Sequence, residues 1–308
     1  RSSAASDVYK RQIFDGDESK KVYTDPVDFS ENNKSIPSFS HHKLTCFEYA
    51  DGVNKVDRFN LTDLDIYYSK LSNAFNSIMA KEIYTFLEDF SIGDKKARII
   101  ILTGHGKKAF CAGGDLKERN KMTSEEWFIQ HKLYERMMRA IKDCPIPIIA
   151  AVNGAAYGGG CEIVSAVDFA YAAKHSLFAQ TETKLGIIPG AGGTQNLPRA
   201  IGEKRALELI LTGKTFTALE AKNWGLVNEV FDGDQLMIEV TKIAKKIAKN
   251  APLAVKQAKN SIKKGLNMSL SDGLFFEIEC YNRTIPTKDR LEGILAFNEK
   301  RPPKFEGH

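Results

Sequence analysis

Short apolar runs alternate with amphipathic segments from Lys43 onward. Four runs of five or six residues predict β-strands, at 44–49, 98–103, 147–152 and 169–173. Two longer segments with helical periodicity predict helices, at 75–87 and 125–144. After Pro147 the third run is apolar at every position, which is typical of a strand buried on both faces. The alternation predicts an α/β fold.

The pattern changes near both ends of the chain. Residues 1–40 are rich in Ser, Asn, Asp and Pro and lack apolar periodicity, so we expect a disordered or non-native leader. After Gly225 long Lys-rich helices follow, which predicts a core domain at 41–230 and a helical region at 231–308. The lysines of 242–249 lie on one helical face and are expected to face solvent, opposite Ile243 and Ile247.

Composition narrows the possible functions only a little. No apolar run approaches the roughly 20 residues needed to cross a bilayer, so we expect no membrane span. The net charge of +5 over 308 residues suits an anionic small molecule as well as a nucleic acid. The 5 cysteines show no CxxC or zinc-like spacing, which predicts no metal site and free thiols in a reducing compartment, cytoplasm or mitochondrial matrix.

Two glycine-rich clusters follow predicted strands. They are Ala109-Phe-Cys-Ala-Gly-Gly-Asp115 and Tyr157-Gly-Gly-Gly-Cys-Glu162, and the second also opens a predicted helix. Glycines let backbone approach a ligand closely, and the first N–H groups of a helix lack partners within it. Together the two loops are able to form an oxyanion hole, although tight turns without a binding role have the same pattern.

Two carboxylates lie beside these loops. Glu162 occurs in an otherwise apolar stretch and is either a partner of its helix dipole or a site residue. Glu182 precedes another glycine-rich loop at 186–194 and is either a solvated loop acid or a site residue. Two carboxylates that face one cavity supply the base and the acid that hydration of a conjugated double bond requires. Sequence spacing alone does not bring them together.

Three motifs resemble the enoyl-CoA hydratase/isomerase, or crotonase, superfamily: AFCAGGDLKE, IIAAVNGAAYGGGCEI and ETKLGIIPGAGGTQNLPRAIG. The resemblance covers roughly residues 43 to 308. The tail at 284–303, the Leu-Lys-Glu-Arg of 116–119 and the Glu-Thr-Lys around Glu182 look most like the methylglutaconyl-CoA hydratase branch. The resemblance implies a crotonase-type spiral of ββα units with a C-terminal helical oligomerisation region, in a homotrimer or homohexamer. It implies an acyl-CoA substrate and neither a metal nor a separate cofactor.

The resemblance also assigns roles to individual residues. Glu162 and Glu182 match the two catalytic acids, the first activating water and the second delivering a proton to the carbon next to the thioester. The oxyanion-hole positions are Ala112 and Gly159. The residues expected to bind substrate are Ala112, Gly113, Gly114, Asp115, Gly159, Phe297 and Lys300. The presence of both acids favours a hydratase, possibly for 3-methylglutaconyl-CoA in leucine breakdown.

Three functions are alternatives to hydration. An enoyl-CoA isomerase of the same fold is the first alternative. The second is an RNA-binding hydratase homologue, which the first helix disfavours because Lys81 is its only lysine between 76 and 87. The third, a nucleotide-dependent oxidoreductase, is disfavoured because the glycines of 154–160 do not form GxGxxG. A carboxylate on the substrate would need a cation, and the nearest in sequence are Lys117, Arg119 and Lys184.

Overall fold

The computed structural model describes residues 42–49, 56–60, 74–92 and 97–308. The predicted leader at 1–40 lies outside these residues. The strands, in chain order, are β1 (His42–Tyr49), β2 (Val56–Asn60), β3 (Ile99–Gly104), β4 (Ala109–Cys111), β5 (Ile148–Val152), β6 (Ala155–Tyr157), β7 (Phe169–Ala173), β8 (Leu177–Ala179), β9 (Phe216–Thr217) and β10 (Glu229–Phe231).

Eleven α-helices are described alongside one 3₁₀ helix at Glu182–Leu185. The α-helices are α1 (Ser77–Ile92), α2 (Leu116–Arg119), α3 (Ser124–Asp143), α4 (Gly159–Ala166), α5 (Gly193–Ile201), α6 (Glu203–Thr212), α7 (Ala218–Trp224), α8 (Leu236–Ala248), α9 (Pro252–Gly265), α10 (Leu270–Asn282) and α11 (Lys288–Asn298). The α/β prediction is confirmed. Within the part of the chain that the structure describes, no helix is both long and apolar enough to cross a bilayer.

The larger sheet has the strand order β10-β7-β5-β3-β1-β2. Its four strands from β10 to β3 run parallel, while β1 pairs antiparallel with β2 and β3. Every residue of β3 and β5 is buried, as a parallel sheet covered on both faces requires. Ile100 and Leu102 belong to the core cluster that includes residues of α1 and α3, and Ile99 and Ile101 belong to the cluster with α8.

The predicted boundary near residue 230 coincides with the end of β10, and all later described elements are helices. The first of these helices, α8, nevertheless packs on the sheet through Leu236, Val240 and Ala244. The lysines of its outer face are exposed, and Ile243 and Ile247 pack against the same cluster. Because α8 belongs to the same core as the sheet, the division into two domains at residue 230 remains a prediction.

A mostly buried ion pair attaches the following helix to the core. The carboxylate of Asp168, just before β7, lies 2.7 Å from Lys259 Nζ and 3.2 Å from Lys263 Nζ, both on α9. It also accepts a hydrogen bond of 2.7 Å from the Ile148 N–H. The side chains of Asp168 and Lys259 are 11% and 10% exposed, so the contact is shielded from water and salt.

The smaller sheet, β4-β6-β8-β9, positions the candidate site. Its strands β4, β6 and β8 are parallel and only three residues long. Their carboxyl ends lie along one edge, where ligands commonly bind in parallel sheets. This edge carries the two predicted glycine loops and the segment that leads to Glu182.

Candidate active site

The two glycine loops touch each other at the carboxyl ends of β4 and β6. Gly113 has φ of 92°, and a Cβ placed there would lie 3.0 Å from the Tyr157 carbonyl and 3.2 Å from the Gly159 nitrogen. A Cβ on Gly159 would lie 2.5 Å from the ring of Phe75. Gly113 requires glycine because of its positive φ, and Gly159 requires glycine because the Phe75 ring lies so close. The two loops therefore pack against each other in addition to forming turns.

Two backbone N–H groups at this contact lack an acceptor. Among the described hydrogen bonds, neither Ala112 N nor Gly159 N donates. Gly159 is the first residue of α4, where the free N–H groups and the positive end of the helix dipole favour an anion. Both residues line the same cavity. The pair has the composition of an oxyanion hole, and that role remains a prediction.

Glu162 is buried in the first turn of α4, with 3% of its surface exposed. Its Oε1 accepts hydrogen bonds of 2.8 Å from the N–H groups of Ala191 and Gly193, at the start of α5. Burial, and to a smaller extent the charge of Glu182, raise the pKa of Glu162 to about 7 against the lowering effect of these hydrogen bonds. A carboxyl group with this pKa is able to exchange a proton near neutral pH.

Glu182 begins the 3₁₀ helix and is 8% exposed, so the interpretation as a solvated loop acid is wrong. Its Oε1 lies 3.0 Å from where a Cβ on Gly158 would be, which places it above the start of α4. With its nitrogen facing Glu182, the buried Gln180 amide donates to the carboxylate at 3.1 and 3.2 Å. Burial raises the pKa of Glu182 above its usual value.

Both carboxylates and the predicted loop residues line one cavity of about 760 Å³. Its lining comprises Phe75, Ala112, Gly113, Gly114, Leu116, Arg119, Ser124, Trp127, Phe128, His131, Tyr134, Gly158, Gly159, Glu162, Thr181, Glu182, Leu185, Ile187, Ile188, Pro189, Gly190, Ala191, Gly192, Thr194 and Gln195. The lining is largely apolar, with few polar groups that converge, as in sites for small organic ligands. The fold therefore brings together the two acids that the sequence could only name separately.

Three predicted binding residues lie outside this lining. Asp115 is 9% exposed and caps α2, where its carboxylate accepts a hydrogen bond of 2.9 Å from the Lys117 N–H. Phe297 is 84% exposed near the end of α11. Lys300 is also exposed. Within one chain neither tail residue reaches the cavity.

Sequence reasoning missed several lining residues. Trp127, His131 and Tyr134 recur at helical spacing on α3, which is a signal for one shared face but does not show that the face borders a cavity. The N–H donors of Ala191 and Gly193 carry no side-chain signal, and only their glycine-rich context was visible. No group of three or more His, Cys, Asp or Glu in the described ranges is placed to hold a metal ion.

Comparison with known sequences gives consistent results. The family profile described as enoyl-CoA hydratase/isomerase matches residues 62–308. The Bacillus subtilis (strain 168) protein YngF, named for the same hydratase/isomerase group, is 44% identical over 236 residues, which cover 77% of this chain and 90% of YngF. The mitochondrial methylglutaconyl-CoA hydratase of Homo sapiens is 44% identical over 218 residues, covering 70% of this chain and 64% of the human protein.

Solved structures match as well. The enoyl-CoA hydratase of Bacillus anthracis superposes with a TM-score of 0.77 at 44% identity, over 79% of this chain and 94% of that one. An enoyl-CoA hydratase homologue from Streptomyces coelicolor A3(2) gives 0.77 at 28% identity, over 91% and 99% of the two chains. The crotonase-type α/β fold with C-terminal helices, predicted from the sequence, is thereby confirmed.

Proposed function

Because the chain belongs to the enoyl-CoA hydratase/isomerase family, we propose that it adds water across the 2,3 double bond of an enoyl-CoA thioester. The observation that carries the proposal is the pair of buried carboxylates, Glu162 and Glu182, in one cavity with the unpaired N–H groups of Ala112 and Gly159. An isomerase needs to move a proton between two carbons, for which one carboxyl group is sufficient. Two carboxyl groups allow separate handling of the water and of the carbon.

In the proposed mechanism the thioester oxygen accepts hydrogen bonds from Ala112 N–H and Gly159 N–H. These donors stabilise the negative charge that develops on that oxygen as the enolate forms. Ionised Glu162 takes a proton from water, the water oxygen bonds to C3, and the electrons of the double bond move toward the thioester. Protonated Glu182 then delivers its proton to C2. One proton enters the pair from water and one leaves it to carbon, so the reaction is balanced and redox-neutral.

The surroundings of the two acids support these roles. Oε1 of Glu162 is held by the N–H groups of Ala191 and Gly193, while its Oε2 accepts no hydrogen bond from a described residue and is available to water. The raised pKa of Glu182 favours the protonated form that a donor to carbon needs. Since addition of water requires no oxidant or reductant, we propose no cofactor besides the coenzyme A of the substrate.

We assign 3-methylglutaconyl-CoA as the candidate substrate, in leucine breakdown. It is the substrate in the name of the human relative, and the Leu-Lys-Glu-Arg motif of α2 supports the same branch. Cys111, Cys144, Cys161 and Cys280 are buried free thiols, which supports a reducing compartment such as the cytoplasm or mitochondrial matrix.

A homotrimer or homohexamer is also part of the proposal. Phe297 and Lys300 are exposed in the single chain, so they contribute to substrate binding only if the tail meets the cavity of a second copy. Exposed apolar side chains on the C-terminal helices support such assembly, among them Ile262, Leu266, Leu270, Leu274, Phe275, Ile278, Leu291 and Phe297.

The test is an assay of the purified full chain with crotonyl-CoA and 3-methylglutaconyl-CoA in parallel. Hydration removes the ultraviolet absorbance of the conjugated enoyl thioester and gives a 3-hydroxyacyl product detectable by mass. A 3-enoyl-CoA supplied as a third substrate tests isomerisation, which creates that absorbance instead. No water addition to any enoyl-CoA would refute the proposed function.

A further inference from the structure

Arg119 is the guanidinium group of the cavity lining. Its Cζ lies 4.2 Å from the centre of the Trp127 ring and 4.9 Å from that of Tyr134. Its Nε donates a hydrogen bond of 2.7 Å to Oε1 of Gln130. The aromatic faces and the hydrogen bond together restrict the plane of the guanidinium, which a flexible surface arginine would not show.

The Gln130 side chain is itself fixed. It is 4% exposed, and its Nε2 donates to Glu118 Oε2 at 2.6 Å and to Ser77 Oγ at 2.9 Å. With the amide nitrogen occupied in this way, only Oε1 is left to face Arg119. Glu118 in turn accepts a hydrogen bond of 3.0 Å from the Ser77 N–H at the start of α1. The orientation of Arg119 is therefore determined by a network that extends into two helices.

Both terminal nitrogens of Arg119 lack a partner among the described residues. In the described part of the chain, the only hydrogen bond of Arg119's side chain is the one through Nε, and no carboxylate lies within ion-pair distance of it. An oriented guanidinium with two free terminal N–H edges matches the geometry of a carboxylate, which it binds through two parallel hydrogen bonds.

Arg119 also lies close to the reacting groups. Its Cζ is 3.7 Å from where a Cβ on Gly114 would be, two residues after the proposed oxyanion donor Ala112. Its positive charge lowers the pKa of Glu162, which places the guanidinium within electrostatic range of the proposed base. A group bound at Arg119 would therefore belong to the acyl portion of the substrate.

Resting on the hydratase function proposed above, we propose that Arg119 is the specificity-determining residue that binds a second carboxylate, at the far end of the acyl chain. The enzyme then prefers dicarboxylic enoyl thioesters over their uncharged counterparts. The two other cations near the site do not fit this role. Lys117 is exposed and does not line the cavity. Lys184 does not line the cavity either, and its Nζ donates a hydrogen bond of 2.7 Å to the Gly213 carbonyl.

The experiment compares two substrates that differ only in the carboxylate, glutaconyl-CoA and crotonyl-CoA. Arg119→Met should lower kcat/KM for glutaconyl-CoA by about 10- to 100-fold, the range expected for losing hydrogen bonds to a charged group. Because the Arg119 charge also lowers the pKa of Glu162, kcat/KM for crotonyl-CoA should change as well. The ratio of the two kcat/KM values should nevertheless fall by about 10-fold or more, because only glutaconyl-CoA loses a carboxylate contact. Arg119→Lys keeps the positive charge but loses the planar guanidinium that forms two parallel hydrogen bonds. Its kcat/KM for glutaconyl-CoA alone should therefore lie between the values of Arg119→Met and the unmodified chain.

Lys117→Met is the matched control, since it removes an exposed cation from the same helix outside the cavity, and it should leave both substrates unaffected. An equal loss for both substrates in Arg119→Met would overturn the inference and assign Arg119 to general support of the site. Unchanged selectivity would overturn it too. If the unmodified chain hydrates neither substrate, the hydratase function itself fails, which is a separate result.

Discussion

Glu162 experiences opposing influences on its charge. Burial and the neighbouring Glu182 carboxylate disfavour the ionised form, while the N–H groups of Gly193 and Ala191 and the charge of Arg119 favour it. The resulting pKa of about 7 suits a group that accepts and returns a proton at neutral pH. The sequence pointed to Glu162 as a site candidate, but these influences come from residues between 20 and 43 positions away along the chain.

The pH dependence of the reaction follows from this balance. Glu162 must be ionised to accept a proton, so kcat/KM should rise with pH through a limb near 7. Loss of the proton that Glu182 donates should limit kcat/KM from the other side, and burial delays this loss by raising the pKa of Glu182. Both limbs are properties of the coupled pair.

One variant should move the acidic limb, because it removes a charge that acts on Glu162. Glu182→Gln is not that variant, since the active form has a protonated, uncharged Glu182 that the neutral amide replaces. Arg119→Met removes a charge that lowers the pKa of Glu162, so its limb should shift to higher pH. The measurement is a kcat/KM profile with crotonyl-CoA. A limb that stays in place in Arg119→Met would contradict the assignment of this limb to Glu162.

At the scale of elements, the site depends on how closely α4 approaches β4. A Cβ on Gly160 would lie 2.1 Å from the Cys111 carbonyl oxygen, closer than any real contact. Ala112 directly follows β4, and Gly159 is the first residue of α4. The close approach of the two elements therefore keeps the N–H groups of Ala112 and Gly159 near each other. The two loops therefore keep this contact only while residue 160 has no side chain.

Gly160→Ala should force α4 and β4 apart. We expect a loss of about 1–3 kcal/mol in the free energy of unfolding, measured by urea denaturation, from overpacking. We also expect a larger drop in kcat than in substrate affinity, because the oxyanion donors are displaced. Gly265→Ala is the control, since a Cβ there would meet its nearest atom at 3.8 Å. A Gly160→Ala protein with normal stability and kcat would contradict this account.

The sequence predicted the larger sheet better than the smaller one. β3, β5 and β7 fall within one residue of the predicted runs, because each consists of five or six mostly apolar residues. β4, β6, β8 and β9 have only two or three residues, too few for any periodicity. The meeting of Glu162 with the start of α5 was also invisible, because backbone N–H groups leave no mark in sequence.

At the scale of the whole molecule, the tail is attached to its own chain. Arg301 forms a two-pronged contact with Glu292 at 2.6 and 2.9 Å. Asp289, 3% exposed, accepts hydrogen bonds from the N–H groups of Glu306 and Gly307. A deletion of 284–308 would break these contacts, so point substitutions test the tail more cleanly than truncation does.

Phe297→Ala and Lys300→Ala test whether the exposed tail reaches a second copy. We expect the full chain to sediment as a trimer or larger, and Phe297→Ala to weaken this assembly because a large apolar contact is lost. Lys300→Ala should raise KM for acyl-CoA several-fold with kcat nearly unchanged, as loss of uniform binding does. Leu219→Ala, an exposed position on α7, is the control. A monomeric full chain, or variants indistinguishable from it, would refute the assembly.

The central claim is that Glu162 and Glu182 act together in hydration, and single Glu-to-Gln substitutions test it most directly. Gln keeps the size of the side chain and removes its ability to exchange a proton. We expect Glu162→Gln and Glu182→Gln each to lower kcat for enoyl-CoA hydration by about 100-fold or more. Circular dichroism and thermal unfolding should match those of the unmodified chain. Near-full activity in either folded variant would contradict the account.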